Sequence, residues 1–110
     1  MEQTRGDTKK YYFQRKKADG TVIIDLPDAL YFTVKKNYID NKALIQKKLS
    51  DMTVDQEGKY HFTIEPGDTD KLPYGGYVFD IQVTVGDIKT TIAKGTFVLT
   101  EEVTFAENEV

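Results

Sequence analysis

The sequence predicts an all-β protein in which antiparallel strands pack as a sandwich. Apolar and polar residues alternate at every second position in several short runs, as they do in strands that bury one face. Gly, Pro and Asp separate these runs, and such residues favour tight turns. A length of 110 residues suits a single domain with one core.

This pattern predicts eight strands, and three of them supply the predicted core. We place the strands near residues 9–15, 21–26, 29–36, 43–49, 59–64, 75–85, 88–94 and 96–104. The segment 42–50 also suits an amphipathic helical turn, and we predict a strand there because its neighbours then form a sheet. The predicted buried faces consist of Leu30, Phe32 and Val34; of Tyr60, Phe62 and Ile64; and of Tyr77, Phe79, Ile81, Val83 and Val85.

Local signals predict the connections between these strands. The runs 78–85 and 88–92 indicate a hairpin around Gly86 and Asp87, and Gly95 indicates a bulge or bend. Asp68 or Thr69 is predicted to cap one helical turn that ends before Pro73.

Tyr77 directly follows a pair of glycines at the start of a predicted strand. In immunoglobulin-like sandwiches a tyrosine in this position donates a hydrogen bond to the backbone a few residues upstream. We therefore predict an immunoglobulin-like antiparallel β-sandwich of about seven to eight strands over residues 8–105. Residues 1–7 and the acidic residues 106–110 are predicted to be flexible ends, because they lack periodic apolar residues.

Composition excludes several classes of function. A net charge of -3 and an isoelectric point near 5.1 argue against binding to nucleic acid or to an anionic membrane. No run of apolar residues approaches the length that spans a bilayer, and residues 1–10 are polar and do not resemble a signal peptide. We therefore expect synthesis and folding in the cytoplasm. The absence of cysteine excludes disulfides, thiolate metal sites and cysteine nucleophiles.

We predict no catalytic, cofactor-binding or metal-binding residue, and hence no enzyme. His61 is the single histidine and falls on the polar face of its strand, and Ser50 is the single serine. Glu65, Asp68 and Asp70 form the densest group of carboxylates, but they lack the ligand spacing of a calcium loop and suit a capped turn. Residues 75–76, the glycine pair, lead into a strand, whereas a phosphate-binding loop leads into a helix.

Two surface features have alternative interpretations. Arg5, Gly6 and Asp7 match the integrin-recognition tripeptide, but three residues match by chance often, and we expect them to lead into the first strand. Tyr31, Tyr38 and Tyr74 are predicted to be exposed, where tyrosines either form protein interfaces or cover the edges of the sandwich.

A series of short motifs runs in a fixed order through residues 6–104, and it resembles one known family. The family comprises small immunoglobulin-like domains of tailed bacteriophages and prophages, which occur as the amino-terminal domain of baseplate upper proteins or as free-standing structural proteins. The resembling residues are 5–8 (RGDT), 31–36 (YFTVKK), 44–47 (LIQK), 58–64 (GKYHFTI), 66–69 (PGDT) with Leu72, 77–82 (YVFDIQ), 95–97 (GTF) and 102–104 (EVT).

The resemblance implies a role in assembly. It predicts a structural protein associated with a phage tail or baseplate, located in the virion and assembled in the cytoplasm of the bacterial host. Its partners would be other phage structural proteins, and a homo-oligomer is possible. Met1 and the acidic residues 106–110 favour a free-standing member of the family over a fragment. The alternative is a carbohydrate-binding accessory module that stacks sugars on exposed tyrosines.

Overall fold

The protein is an all-β sandwich of two sheets, described by a computed structural model over residues 1–101. The strands are β1 (Glu2–Thr4), β2 (Lys9–Gln14), β3 (Ala29–Lys35), β4 (Ile45–Lys48), β5 (Thr53–Val54), β6 (Lys59–Ile64), β7 (Gly75–Val85) and β8 (Ile88–Thr100). One 3₁₀ turn (Leu49–Asp51) and one short helix, α1 (Pro66–Thr69), complete the regular structure of this part of the chain. Neither helix is long or apolar enough to cross a membrane.

The order of the strands is that of an immunoglobulin-like sandwich. One sheet has the order β1-β8-β7-β3-β4 and the other β2-β6-β5. Strands β2 to β8 are thus distributed between the two sheets in the same way as strands B, C, C′, D, E, F and G of a variable-type domain. The predicted fold class is confirmed, with one exception to antiparallel pairing, because β1 runs parallel to β8.

The core lies between the two sheets and consists mainly of residues that the alternation predicts. Leu30, Phe32 and Val34 of β3 face β6 across the sandwich, and the rings of Phe32 and Phe62 are 4.5 Å apart. Such aromatic contacts add to the stabilisation that burial itself provides. The other core residues are Ile45, Tyr60, Ile64, Tyr77, Ile81, Val83, Phe97 and Leu99.

The predicted tyrosine corner is present. Tyr77 lies near the start of β7, is buried, and donates a hydrogen bond from its hydroxyl to the Pro73 carbonyl oxygen at 2.6 Å. Burial raises the pKa of its phenol. The bond fixes the turn that precedes β7 against the core.

Three predicted strand boundaries are wrong. Residues 21–26 form no strand, and Val22 makes only a single bridge to Lys16. The segment packs closely against Gly58, since a Cβ at that position would lie 2.9 Å from the Val22 side chain. The predicted strand 43–49 shortens to β4 and then bends into the 3₁₀ turn, so both readings of residues 42–50 hold in part. The predicted strands 88–94 and 96–104 form the single strand β8, which ends at Thr100.

Gly95 is not the bulge that the sequence predicts. The register shifts three residues earlier, where Ile92 has no counterpart between the pairs Ile81–Ala93 and Gln82–Thr91. Gly95 instead lies opposite Phe79, and a Cβ there would sit 3.3 Å from the Phe79 ring. The glycine thus makes room for an aromatic side chain on the neighbouring strand.

The amino-terminal residues belong to the sandwich, so the prediction that residues 1–7 lie outside it as a flexible end is wrong. β1 pairs with Val98, Leu99 and Thr100, and Gln3 is buried. Alternation missed this strand because three residues are too short a run to show a period. The predicted acidic end, residues 106–110, lies outside the described part of the chain.

The helical turn near residue 68 is confirmed, but it begins earlier than predicted. α1 starts at Pro66. The Asp68 carboxylate accepts a hydrogen bond from the Glu65 N–H at 2.7 Å and forms an ion pair with Lys47 at 2.8 Å. Asp68 therefore lies inside the turn and reaches back to its first residue, while Thr69 is buried and accepts a hydrogen bond from the Gly6 N–H.

Candidate protein-docking edge

Among residues 1–101, the longest stretch of strand that is paired on one side only is the outer edge of β8. This strand has thirteen residues, and β1 pairs with three of them, which leaves ten residues, 88–97, with a partner on the β7 side only. Across residues 1–101, the other outer strands are shorter: β2 has six residues, β4 has four and β5 has two. A free edge exposes unpaired N–H and C=O groups, which can bind an added strand.

A groove runs between this free edge and the second sheet. It encloses about 420 Å³ and lies between β8 on one side and the end of β2 with the residues that follow it on the other. We call it the edge groove. Its lining consists of Phe13, Gln14, Arg15, Lys16, Ile23, Ile81, Thr90, Thr91, Ile92 and Ala93.

Apolar side chains around the edge groove face solvent. Ile88 is 69% exposed, Val85 51% and Ile92 40%, although the alternation predicts Val85 as part of the core. Val85 and Ile88 face each other at the tip of the β7–β8 hairpin, and residues 88–92 are all exposed. The inward face of the hairpin tip is therefore not covered by the second sheet, which corrects the prediction for Val85.

The bulge reverses the alternation along β8, and the end of the second sheet leaves the stretch before it exposed. An extra residue at Ile92 reverses the alternation along the strand, so that residues before and after it present opposite faces. After the bulge Phe97 and Leu99 point into the core and are buried. Before it, the strand continues the hairpin beyond the core, where no facing element buries it.

Charge around the edge groove is one-sided. The lining contains Arg15 and Lys16 and no acidic residue. Lys89 precedes the lining residues of β8, whereas Lys94 lies opposite Asp80 and 6.0 Å from the Tyr38 ring, on the other face of the sheet. Segment 9–17 and β8 together carry seven basic residues and no acidic one, although the whole chain has a net charge of -3. Arg15 and Lys16 in the lining would favour a partner segment that carries acidic residues.

The other end of β8 is closed by a hydrogen-bonded clamp. The Tyr11 hydroxyl donates to Gln3 Oε1 at 2.8 Å, and Gln3 Nε2 donates to the Asp7 carbonyl oxygen at 3.0 Å. Burial raises the pKa of Tyr11 to about 12. The clamp joins β2 of one sheet to β1 of the other and holds β1 against the last three residues of β8.

The structure does not bring the three predicted surface tyrosines together. Tyr31 lies on β3, opposite Gln82 of β7, and is half-buried. Tyr74 precedes β7, and the Arg5 guanidinium lies over its ring at 4.1 Å from the ring centre. Tyr74 and Gln82, the residue opposite Tyr31, are eight residues apart along the chain, which corresponds to about 26 Å of strand. The Tyr38 hydroxyl donates to the Gly95 carbonyl oxygen at 3.0 Å, so this residue anchors the β3–β4 loop across the sheet.

His61 and Asp68, two residues considered for chemistry from the sequence alone, each contact neighbouring side chains or backbone. His61 lies on the outer face of β6, its ring 5.4 Å from that of Tyr12, beside a shallow polar depression that also contacts Lys10 and Asp51. Asp68 is engaged by Lys47 and by the backbone of α1. Within residues 1–101, no group of three His, Cys, Asp or Glu residues could hold a metal ion.

The Arg-Gly-Asp tripeptide is part of the turn between β1 and β2, so it leads, as predicted, into the strand that begins near residue 9; the strand before it, β1, was not predicted. The Arg5 guanidinium stacks on Tyr74 and donates to the Leu72 carbonyl oxygen at 3.4 Å, and the Gly6 N–H donates to Thr69. These contacts attach the turn to α1 and to the loop that precedes β7.

The edge groove is a feature that alternation did not predict. The signal available in the sequence was the segment 88–94, IKTTIAK, which is rich in β-branched residues and contains no acidic residue. Its exposure depends on where the second sheet ends and on the short β1, neither of which is visible in the sequence pattern. A scan against models of protein families found no match for the chain, and a search of curated proteins found no relative.

Proposed function

We propose that the chain is a non-enzymatic structural protein of a phage or prophage virion, associated with the tail or baseplate, that docks on other subunits through the edge groove. The observation that carries the docking role is the ten-residue free edge of β8 beside an apolar, basic groove. The assignment to a virion rests on the resemblance of residues 6–104 to phage immunoglobulin-like domains.

The docking mode that suits this edge is addition of a strand. An extended segment of a partner would pair with the free N–H and C=O groups of residues 88–97, and its side chains would enter the edge groove at alternate positions. Phe13, Ile23 and Ile92 offer apolar contact, while Arg15 and Lys16 offer charge. Because β7 already holds β8 in place, little ordering of the edge accompanies binding, and a preformed site costs less entropy.

The experiment is cross-linking mass spectrometry in a lysate of the source bacterium after prophage induction. The purified chain is incubated with the lysate, treated with an amine-reactive cross-linker and recovered through an affinity tag. Lys16 lines the edge groove, and Lys89 and Lys94 lie on the free stretch of β8, so these three lysines serve as reporters. Lys42 and Lys71, on loops elsewhere, serve as internal references. We expect tail or baseplate proteins to be recovered, with cross-links concentrated at the three reporters.

An Ile92→Asp variant tests the groove, because it places an acidic side chain there at an exposed position, and Tyr12→Asp is its matched control. Recovery of the same proteins should fall, while a Tyr12→Asp variant, changed at an exposed position on the outer face of the other sheet, should retain it. Recovery of no phage structural protein would overturn the proposal. So would binding to cell-wall glycan that Ile92→Asp leaves unchanged, which would instead favour the carbohydrate-binding module.

A further inference from the structure

We propose that the edge groove accepts the acidic segment that follows β8 in a second copy of this chain. The inference rests on the proposed function, since it names the occupant of the same docking surface. It predicts that the chain associates with itself through contact between two different surfaces, the edge groove of one copy and residues 102–107 of the next.

Charge is the first argument for this occupant. Residues 102–107 contain two glutamates, Glu102 and Glu107, and no lysine or arginine. The edge groove is lined by Arg15 and Lys16 with no acidic residue, and Lys89 lies next to it on β8. The two surfaces are therefore complementary in sign, and such complementarity favours encounter and selects the partner.

The apolar pattern of the segment is the second argument. Val103 and Phe105 are separated by one residue, so an extended backbone would direct both side chains to the same face. The groove offers Phe13, Ile23 and Ile92 to that face. Glu102 and Thr104 would then alternate with the apolar residues, as strand addition at a half-buried edge requires.

The groove of a second copy is the favoured site because the segment 101–105 is too short to reach the groove of its own molecule. Ile92 and Thr100 are eight residues apart along β8, which corresponds to about 26 Å of strand. Phe105 follows Thr100 by five residues, and five residues span at most about 18 Å. The backbone of Phe105 therefore cannot lie beside Ile92 of its own molecule, and the groove within its reach is that of another copy.

Pairing between the β8 edges of two copies is disfavoured by the same charges. Lys89 and Lys94 lie on each edge, and antiparallel pairing would bring four lysines together in one ladder. Lysines on an edge strand oppose pairing of this kind. An acidic segment instead compensates their charge, so the edge selects against its own copy and for residues 102–107.

A contact of this type links unlike surfaces, and it generates a ring when the rotation between copies closes and an open chain when it does not. Reciprocal exchange between two copies gives a dimer. In each case the molar mass in solution exceeds the 12.6 kDa of one chain and rises with concentration.

The test measures molar mass by size-exclusion chromatography with light scattering over a concentration series of the full chain. We expect association that weakens as salt is added, since exposed charges are screened. A Lys16→Glu/Lys89→Glu variant should raise the apparent Kd of self-association by about tenfold or more, which corresponds to about 1.4 kcal/mol. Its matched control is Lys42→Glu/Lys71→Glu, which makes the same change in net charge at exposed loop residues.

Disulfide trapping then locates the contact, because the chain has no cysteine of its own. Equal amounts of Phe105→Cys and Ile92→Cys proteins are mixed under mild oxidation, and the mixed disulfide is identified by mass spectrometry. Phe105→Cys mixed with Tyr12→Cys is the control, since Tyr12 is 59% exposed on the outer face of the other sheet. We expect the first pair to form the mixed disulfide several times faster than the control pair.

Two outcomes overturn the inference: a monomer at all concentrations, or equal disulfide formation in both pairs. If the chain is monomeric but still recovers phage proteins through Lys16, Lys89 and Lys94, the docking role stands and only its occupant is wrong. If it neither associates nor recovers phage proteins, the proposed function and the inference fail together.

Discussion

The two ends of β8 differ in burial, although they belong to one continuous strand. Phe97 and Leu99 are buried and the strand end is covered by β1, whereas residues 88–92 are exposed and have no strand on their outer side within residues 1–101. The bulge at Ile92 separates the two stretches. The comparison teaches that one strand can serve the core at one end and present a binding edge at the other.

The largest expected effect contrasts two apolar residues, one in each stretch. Phe97→Ala removes a fully buried ring and should lower the free energy of unfolding by about 3–5 kcal/mol. Ile92→Ala removes a side chain that is 40% exposed and should cost less than about 1 kcal/mol. Urea unfolding followed by circular dichroism gives both values. Similar losses for the two variants would contradict the division of β8.

A smaller effect contrasts two buried hydroxyls. Tyr77 lies opposite Phe97, and Tyr77→Phe removes its 2.6 Å hydrogen bond to Pro73, which should cost about 1 kcal/mol. The Tyr60 hydroxyl is buried and has no hydrogen-bond partner among the described residues. Tyr60→Phe should therefore leave stability unchanged or raise it by up to about 1 kcal/mol.

Thermal melts of the two tyrosine variants decide between these expectations. The Tyr77→Phe protein should melt below the wild type and keep the same fold. A melting temperature equal to that of the wild type would remove the tyrosine corner from the account of the fold. A clear loss of stability in Tyr60→Phe would mean that its hydroxyl has a partner.

The smallest effect concerns the clamp at the closed end and depends on pH. The pKa of Tyr11 is raised from 10.0 to about 12 because burial disfavours the ionised phenol. The folded state thus favours the neutral hydroxyl, and this contribution to stability is complete below pH 10 and is lost as pH rises towards 12.

Tyr11→Phe should make the decline in stability between pH 10 and 12 shallower than in the wild type. Urea midpoints at pH 8, 10 and 11 measure this slope, and Tyr12→Phe, at the neighbouring exposed position, is the control for loss of a tyrosine hydroxyl. If Tyr11→Phe and wild type decline in parallel, ionisation of Tyr11 does not weaken the clamp.

Alternation in the sequence determined which faces of the central strands are buried. Leu30, Phe32 and Val34, and likewise Tyr60, Phe62 and Ile64, lie in the core because a strand with one apolar face has one stable orientation in a sandwich. Tyr77 after two glycines also predicted the tyrosine corner that precedes β7, because the hydrogen bond from Tyr77 to Pro73 joins residues close in sequence. These features depend on local periodicity and local chemistry.

The edges of the sheets were decided only by the tertiary structure. β1 is three residues long and exists because β8 and the Tyr11–Gln3 hydrogen bond hold it, so no local pattern reveals it. The bulge at Ile92 depends on pairing with β7, and the exposure of Val85 depends on where the second sheet ends. The edge groove arises from all three, because its walls come from strands more than 70 residues apart in sequence.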